Sequence, residues 1–490
     1  MTITTKQIKQ ATVQGAAWNY ATYIGSKLMV FVTTIILARL LSPEDFGLLA
    51  LGMILINYLD TVDGLGIGDA LIYKQNEQEH AYNVAFVLNL LAGIVITTIG
   101  FFAAPLISKF FNEPRVTGIL QILSLSYLIS GIGSLLASRF RKELDFRSKF
   151  VVSIGKAIIK GGVSVVLALT GFGVWSLVWG QLAGVIASTG LYWIRSGWMP
   201  KFEFDLAIAR SLFGYGWQMI LVDVFGMIYK NVDYIIVGYL IGAEQLGFYT
   251  MGYRLPEMII MNLCNIFGQT LFPVYSKLQN NMIELRIGFI KSLQYLSLLT
   301  IPAGLLMFVI APEFVRVFYS EKWSETIPVF QALSIYAAVY SLSHNAGDIY
   351  KATGRPVLLN QIGVVKLIIT IPAIWIAAPY GILYVAISQI GTTTILTILS
   401  LFIAQRIIGF NWMELLHSIR PATVSALIMF FLANLLRLQL KGLPDIISLM
   451  IVSVCSSIFY SGALWLTEKH LFEQVIKTLT SSIIKKHSTA

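Results

Sequence analysis

The chain has 490 residues, of which 56% are hydrophobic and only 12% charged, with a formal net charge of +10 and a mean hydropathy of +0.74. That composition lies far outside the range of soluble globular domains and excludes a water-soluble enzyme or binding module. The basic excess is dispersed over short segments between apolar runs rather than gathered in one domain, which excludes nucleic acid as a partner.

A membrane-spanning helix needs ~20 apolar residues to cross ~30 Å of hydrocarbon. The sequence supplies about 14 such segments, at about 13–41, 46–72, 83–108, 116–138, 150–170, 173–195, 212–241, 246–275, 288–312, 326–350, 357–378, 381–405, 421–438 and 446–467. The first is too long for the core of a signal peptide and lacks a small-x-small cleavage site, so it reads as span 1. Between spans 1 and 2, Ser42-Pro43-Glu44-Asp45 supplies a capping serine, a proline suited to the first helical position, and two acids at the positive end of the helix dipole. The surrounding stretch, Ile36 to Gly52, recurs 200 residues later as Ile236 to Gly252, with Ile36/Ile236, Leu40/Leu240, Glu44/Glu244, Gly47/Gly247 and Gly52/Gly252 identical. An ungapped repeat over 17 positions marks two copies of one unit.

With the N-terminus inside, cytoplasmic segments hold 22 Lys/Arg, including Arg139, Arg141, Lys142, Arg147 and Lys149 in one loop, against 7 in the outer loops. This positive-inside bias puts both termini in the cytoplasm of a multi-pass protein of the inner, cytoplasmic membrane. Six spans separate the two repeat copies, so they share one orientation. The expected fold is all-α and integral to the membrane, with two parallel six-helix lobes related by a pseudo-twofold along the membrane normal around a central cavity, plus two extra C-terminal helices. The corresponding segments are an N-lobe at 1–195, an interfacial linker at 196–211, a C-lobe at 212–405, spans 13–14 at 421–467 and a cytoplasmic tail at 468–490. The linker mixes Trp198, Phe202, Phe204, Leu206 and Ile208 with Lys201, Glu203, Asp205 and Arg210. The tail places Leu471, Phe472, Val475, Ile476, Leu479, Ile483 and Ile484 at helical spacing among Lys469, Lys477, Lys485 and Lys486, the pattern of an amphipathic helix on an anionic inner leaflet.

With Arg39, Arg195, Lys291 and Arg437 counted with the loops that their span ends adjoin, thirteen charged residues fall inside the spans: Lys27, Lys156, Lys160, Lys230, Arg254 and Lys366, with Asp60, Asp63, Asp69, Asp223, Asp233, Glu257 and Asp348. Each costs roughly 2.5 to 3.5 kcal/mol at mid-bilayer, so most must face a water-filled cavity or one another. On span 8, Arg254, Glu257, Asn262, Asn265 and Gln269 fall within an arc of about 140° at 100° per residue, which makes them cavity-lining candidates. On span 2, Asn57, Asp60, Thr61, Gly64 and Gly68 share a side. Lys156 and Lys160 stand one turn apart on span 5, and Lys156 can equally snorkel to the cytoplasmic surface. Asp69 and Asp348, near cytoplasmic span ends, read as structural, and Arg254 can simply neutralise Glu257. Lys27, Lys160, Lys230, Arg254 and Lys366 are the candidate substrate-binding cations, suited to a phosphate. Asp60, Asp63, Asp223 and Asp233 are the candidate groups for a coupling H+ or Na+, although an Asp paired with Lys can also serve only the fold.

No catalytic constellation is present. The sequence has no phosphate-binding loop, and His80, His344, His417, His470 and His487 are scattered. Cys264 and Cys455 lie in apolar segments without metal-ligand spacing, so neither a metal nor a cofactor is expected. The longest outer loop, roughly Pro312 to Glu325, is too small for a catalytic domain, which disfavours a membrane-integral polysaccharide biosynthetic enzyme.

The segments ARLLSPEDFGLLAL (38–51), DGLGIGDALI (63–72), RKELDFRSKF (141–150), FGYGWQ (213–218), LFPVYSKLQ (271–279) and EKWSETIPVFQAL (321–333) resemble the polysaccharide-transport (Wzx-type) flippases of the multidrug/oligosaccharidyl-lipid/polysaccharide exporter superfamily, and most closely the colanic acid exporter type. The resemblance implies a secondary-active flippase that carries an undecaprenyl-diphosphate-linked oligosaccharide by alternating access while the lipid tail stays in the bilayer. Its implied partners are that substrate, membrane lipids and a coupling ion. In the related lipid II flippases, cations on spans 1, 2 and 8 line the cavity and two extra C-terminal helices form a groove for the lipid tail. Lys27 and Arg254 match that pattern, whereas span 2 carries Asp60 and Asp63 instead of an arginine. A drug/cation antiporter of the same superfamily would favour an acidic cavity, against which the six intramembrane cations argue. The sugar, the coupling ion and the oligomeric state have no signature in the sequence.

Overall fold

The computed structural model describes residues 5–62, 67, 71, 79–143, 145–210, 231–474 and 477, and among these there is no strand. The helices are α1 (Thr5–Leu40), α2 (Pro43–Val62), α3 (Glu79–Phe110), α4 (Arg115–Lys142), α5 (Phe146–Leu169) and α6 (Val174–Ser196). After the linker, residues 231–240 are helical. There follow α7 (Ala243–Leu278), α8 (Met282–Tyr319), α9 (Thr326–Ala352), α10 (Val357–Tyr380), α11 (Ile382–Ile408), α12 (Trp412–Gln439) and α13 (Asp445–Thr467). Twelve of the described helices are long and apolar enough to cross a membrane. All twelve coincide with expected spans. The remaining two, spans 2 and 7, fall partly on residues outside the described set.

The hairpin between α1 and α2 closes as its sequence dictates. The Asp45 N–H donates to Ser42 Oγ at 3.2 Å while the Ser42 N–H donates to Asp45 Oδ2 at 2.9 Å. These reciprocal bonds satisfy backbone donors that the helix itself leaves free. In the second copy, Gly242 turns the chain at φ +102°, a conformation that a side chain at this position would strain.

The chain packs as two compact units, residues 1–247 and 248–490. In the first, α3 lies on α4, α5 on α6, and α1 and α4 flank that second pair. Apolar matching gives little drive for helix association in lipid, so close backbone approach at small residues takes its place. A Cβ on Gly93 would stand 2.6 Å from the Tyr127 carbonyl oxygen, and one on Gly131 2.8 Å from that of Asn89. The tightest crossing joins the two copies of the repeat, where a Cβ on Gly47 would meet the Ala243 carbonyl oxygen at 1.6 Å and one on Gly247 that of Pro43 at 1.9 Å. Large apolar side chains such as Phe102 and Leu106 are left exposed for lipid.

The linker is tied to the start of α3. Glu203 Oε2 lies 2.6 Å from His80 Nδ1 and accepts from Asn83 Nδ2 at 3.1 Å, while the Lys201 N–H donates to Asn83 Oδ1 at 3.1 Å. The Asn83 amide and His80 hold the Glu203 carboxyl below the usual carboxylate range. Met199, Phe202, Phe204 and Leu206 remain exposed beside these polar ties.

In the second unit, α8 packs on α9, α12 and α13, and α11 on α9 and α10. Its core gathers Tyr275, Phe289, Tyr350, Leu401 and Phe410. α12 begins well before the expected apolar span because Asn411 and Glu414 form a capping box ahead of it. Leu471 of the tail packs on Leu298, Ala422 and Leu464. The tail residues Val475, Ile476, Leu479, Ile483, Ile484, Lys485 and Lys486 lie outside the described residues, as does Ser211 of the linker.

Gly47→Ala and Gly247→Ala should each destabilise the protein by about 1–3 kcal/mol through overpacking against a backbone carbonyl. Gly162→Ala, where no atom lies within 4 Å of the added carbon, should be neutral or slightly stabilising. Thermal unfolding of the three purified variants checks the contrast.

Candidate functional site

A polar cavity of about 240 Å³ opens inside the first unit between α2, α4, α5 and α6. α4 brings Ser126, Ser130 and Ser134, which stand four residues apart and so lie along one face. α6 contributes Gln181, Ser188, Thr189 and Tyr192, α5 contributes Lys156, and α2 contributes Asp60. Tyr127 is 1% exposed, and its hydroxyl is shared between Asp60 Oδ1 at 2.8 Å and the Ile56 carbonyl at 2.5 Å. The ring therefore fixes the carboxylate while its own polar tip is satisfied. The opposite charge of Lys156 acts on Asp60 from α5. The Ser134 hydroxyl is buried and finds no partner among the described residues. Hydroxyls, an amide, a carboxylate and an amine on one polar volume can exchange a proton or hold a small cation, and they can equally receive a hydroxylated ligand.

The remaining candidates are placed as follows. Lys27 is exposed on α1 with its Nζ 5.8 Å from the centroid of the Tyr23 ring. Lys160 stands where α5 crosses α6, its Cβ 3.0 Å from where a side chain on Gly184 would begin. Asp233 is 7% exposed within the helical residues 231–240. Lys230, Asp63 and Asp223 lie outside the described residues, as does Asp69.

In the second unit, Arg254, Glu257, Asn265 and Gln269 are all exposed on α7, while Leu255, Ile260, Cys264 and Gly268 are buried on its other side. The polar arc expected of span 8 is thus a real face of the helix within this unit. One feature departs from an ideal helix. Pro256 has no N–H to give to the fourth carbonyl before it, and the next residues, Glu257–Met261, wind as a π-helix. The wider turn shifts the phase of everything after it. Asn262 is half-buried, and its amide donates to the Met258 carbonyl at 2.8 Å. Lys366 is half-buried on α10, a helix that packs chiefly on α11. Asp348 pairs with Lys351 at 3.1 Å, one turn along the same helix.

The structure therefore places Asp60 and Lys156, the lysine for which snorkelling was the equal reading, on one cavity, and adds Tyr127 and Gln181, which sequence reasoning passed over. The four-residue spacing of Ser126, Ser130 and Ser134 on an otherwise apolar helix was the available signal.

Tyr127→Phe removes the hydroxyl that holds Asp60 and should lower stability by about 1 kcal/mol, whereas Ser126→Ala, which removes only a hydroxyl bonded to the Leu123 carbonyl of its own helix, should leave the melting temperature nearly unchanged. Thermal shift in detergent compares them.

Three comparisons bear on what such a chain does. The family described as "Polysaccharide biosynthesis protein" matches residues 36–328. The lipopolysaccharide biosynthesis protein WzxC of Escherichia coli K12 is 24% identical over 443 residues, 89% of each chain. The succinoglycan biosynthesis transport protein ExoT of Rhizobium meliloti is 23% identical over 95% of each chain. Among solved structures, the lipid II flippase MurJ in an inward closed conformation superposes with a TM-score of 0.73 at 16% identity, covering 94% of this chain and 99% of that one. An inward-facing multidrug resistance MATE family transporter of the MOP superfamily gives 0.61 at 15% identity, over 79% and 94%. Both likenesses concern the fold.

Proposed function

The chain belongs to the polysaccharide biosynthesis protein family, and from that premise we propose that it is a flippase translocating an undecaprenyl-diphosphate-linked oligosaccharide across the cytoplasmic membrane for surface polysaccharide assembly, with both termini in the cytoplasm. The observation that carries the reading is the set of polar and charged side chains left exposed along helices that must lie in hydrocarbon. Lys27 on α1 and Arg254, Asn265 and Gln269 on α7 belong to it. A helix whose polar face is unburied within its own unit and whose other face is packed is the arrangement of a passage wall.

In this reading the cations Lys27, Lys160, Lys230, Arg254 and Lys366 compensate the diphosphate as it leaves water. An arginine serves best, since its rigid fork matches a phosphate in two places. Hydroxyl- and amide-bearing residues receive the sugar, whose many hydroxyls tolerate exchange among partners. Alternating access lets the head group pass while the polyprenyl chain stays in lipid. Asp60, held by Tyr127 and facing Lys156, is the group best placed to couple transport to a proton or sodium ion. Protonation of Asp60 would release Lys156 from its counter-charge, and the two states of the pair would then differ in their preferred surroundings. Asp233, with Asp63 and Asp223, extends this set. The protein makes and breaks no covalent bond in this scheme and needs no cofactor.

The test is translocation of a fluorescent undecaprenyl-diphosphate oligosaccharide in vesicles that contain the purified protein. Lys27→Ala and Arg254→Ala should each slow translocation by about tenfold, the loss of one charge-assisted contact, while membrane insertion is unchanged. Full transport by both variants would overturn the assignment of these cations. Chemical conversion of the lipid-linked sugar during the assay would overturn the transport reading in favour of an enzyme.

A further inference from the structure

The two halves of the chain treat one outer ion-pair element differently. In the first unit, Arg115 closes on Glu113 at 2.7 Å and on Glu44 at 2.5 Å. The second half carries Glu313 and Arg316 about 200 residues later, but there the appended helices take both over. Arg437 of α12 donates to Glu313 at 2.6 Å, and Arg316 grips Asp445 of α13 with two bonds of 2.9 and 2.8 Å. These residues line a pocket of about 530 Å³ together with Asn434, Lys441 and Ser448.

The charge inventory of this pocket is asymmetric. Three cations, Arg316, Arg437 and Lys441, face two carboxylates. A guanidinium has five N–H donors. Arg437 uses one on Glu313 and Arg316 two on Asp445, so both arginines are held rigidly while several donors remain for a further acceptor. Lys441 is exposed at the end of α12 and has no ion-pair partner among the described residues. A carboxylate network that only clasped helices together would not require this surplus cation, nor an open volume of this size. The rim completes the picture. Leu438 is 56% exposed, Leu443 46% and Ile446 55%, so the cationic pocket adjoins bare apolar surface that continues onto α13. A soluble anion gains nothing from such a rim, whereas an amphiphile fits both parts.

We propose that this pocket binds the phosphate of a membrane lipid at the outer end of the appended helix pair, with Arg316, Arg437 and Lys441 on the phosphate and the lipid chains along α13. The sidedness rests on the topology of the proposed flippase. The binding itself does not, so the two can fail separately. Two lipids offer the same chemistry: an anionic phospholipid of the outer leaflet, or the polyprenyl diphosphate that a flippase delivers there.

Delipidated full-length protein is titrated with phosphatidylglycerol, with undecaprenyl diphosphate and with inorganic phosphate, and bound molecules are counted by native mass spectrometry. Lys441→Ala should lower lipid retention by about tenfold, the loss of one charged hydrogen bond, without altering the melting temperature. Asp445→Asn should act in opposite senses on two readouts, lowering the melting temperature through the lost Arg316 pair while raising lipid retention through the added positive charge. Preference for undecaprenyl diphosphate supports an exit site for the carried lipid, and preference for phosphatidylglycerol supports a bilayer lipid. Binding of inorganic phosphate as tight as that of both lipids overturns the lipid assignment. Unchanged retention of all three probes in Lys441→Ala, with lower retention in Asp445→Asn, overturns the site and leaves an ion-pair clasp.

Discussion

The constraint from which the rest of this structure follows is that hydrocarbon accepts an ionised side chain only at a cost of several kcal/mol. Thirteen such groups in the spans of a 490-residue chain are tolerable only if helices turn them away from lipid. The described residues meet that demand in two ways. Some charges are satisfied at short range, as Asp60 is by Tyr127 and Asp348 by Lys351. Others, such as Arg254 and Glu257, are gathered on the unburied face of one helix. Local satisfaction holds a fold together.

Turning charges inward forces helices close together, and in lipid the closeness must come from geometry rather than from hydrophobic drive. Glycine at the crossings supplies it. At Gly93 and Gly131, and again at Gly47 and Gly247, there is no space for even one methyl group. Such contacts fix helix positions to fractions of an ångström, because the opposing atoms are backbone carbonyls that cannot move aside singly. The polar cavity depends on this. The Gly131 crossing lies on α4 between Ser130 and Ser134, so the same close approach that joins α3 to α4 sets the height of the serine ladder.

Periodicity made most of the fold legible, because a bilayer reduces the possible elements to long apolar helices. The two-copy repeat was legible for the same reason that its glycines matter: a backbone crossing admits no substitute residue. The polar face of α7 was legible because Arg254, Asn265 and Gln269 are unmistakable in an apolar background. The cavity of the first unit was less so. Its carboxylate stood out, but serine and tyrosine are ordinary residues of membrane helices, and only packing reveals that Ser126, Ser130 and Ser134 share a volume with Gln181. The π-turn after Pro256 was hidden because proline announces a break in the hydrogen-bond ladder without saying how the chain will repair it. The merging of Glu313 and Arg316 with α12 and α13 required contacts between residues more than a hundred positions apart, such as Arg437 and Glu313, which no local pattern encodes.

α2 and α7, the helices that begin within the two matching stretches, carry different chemistry. Where α7 has Arg254 and Glu257, α2 has Ile54 and Asn57, and where α2 has Asp60, α7 has the fully buried Ile260. Pro256, which widens α7 into its π-turn, stands opposite Ile56, whose carbonyl receives the Tyr127 hydroxyl. Helices that start from matching sequence thus differ in what they carry further along: a carboxylate locked by a tyrosine in one, and an arginine followed by a π-turn in the other.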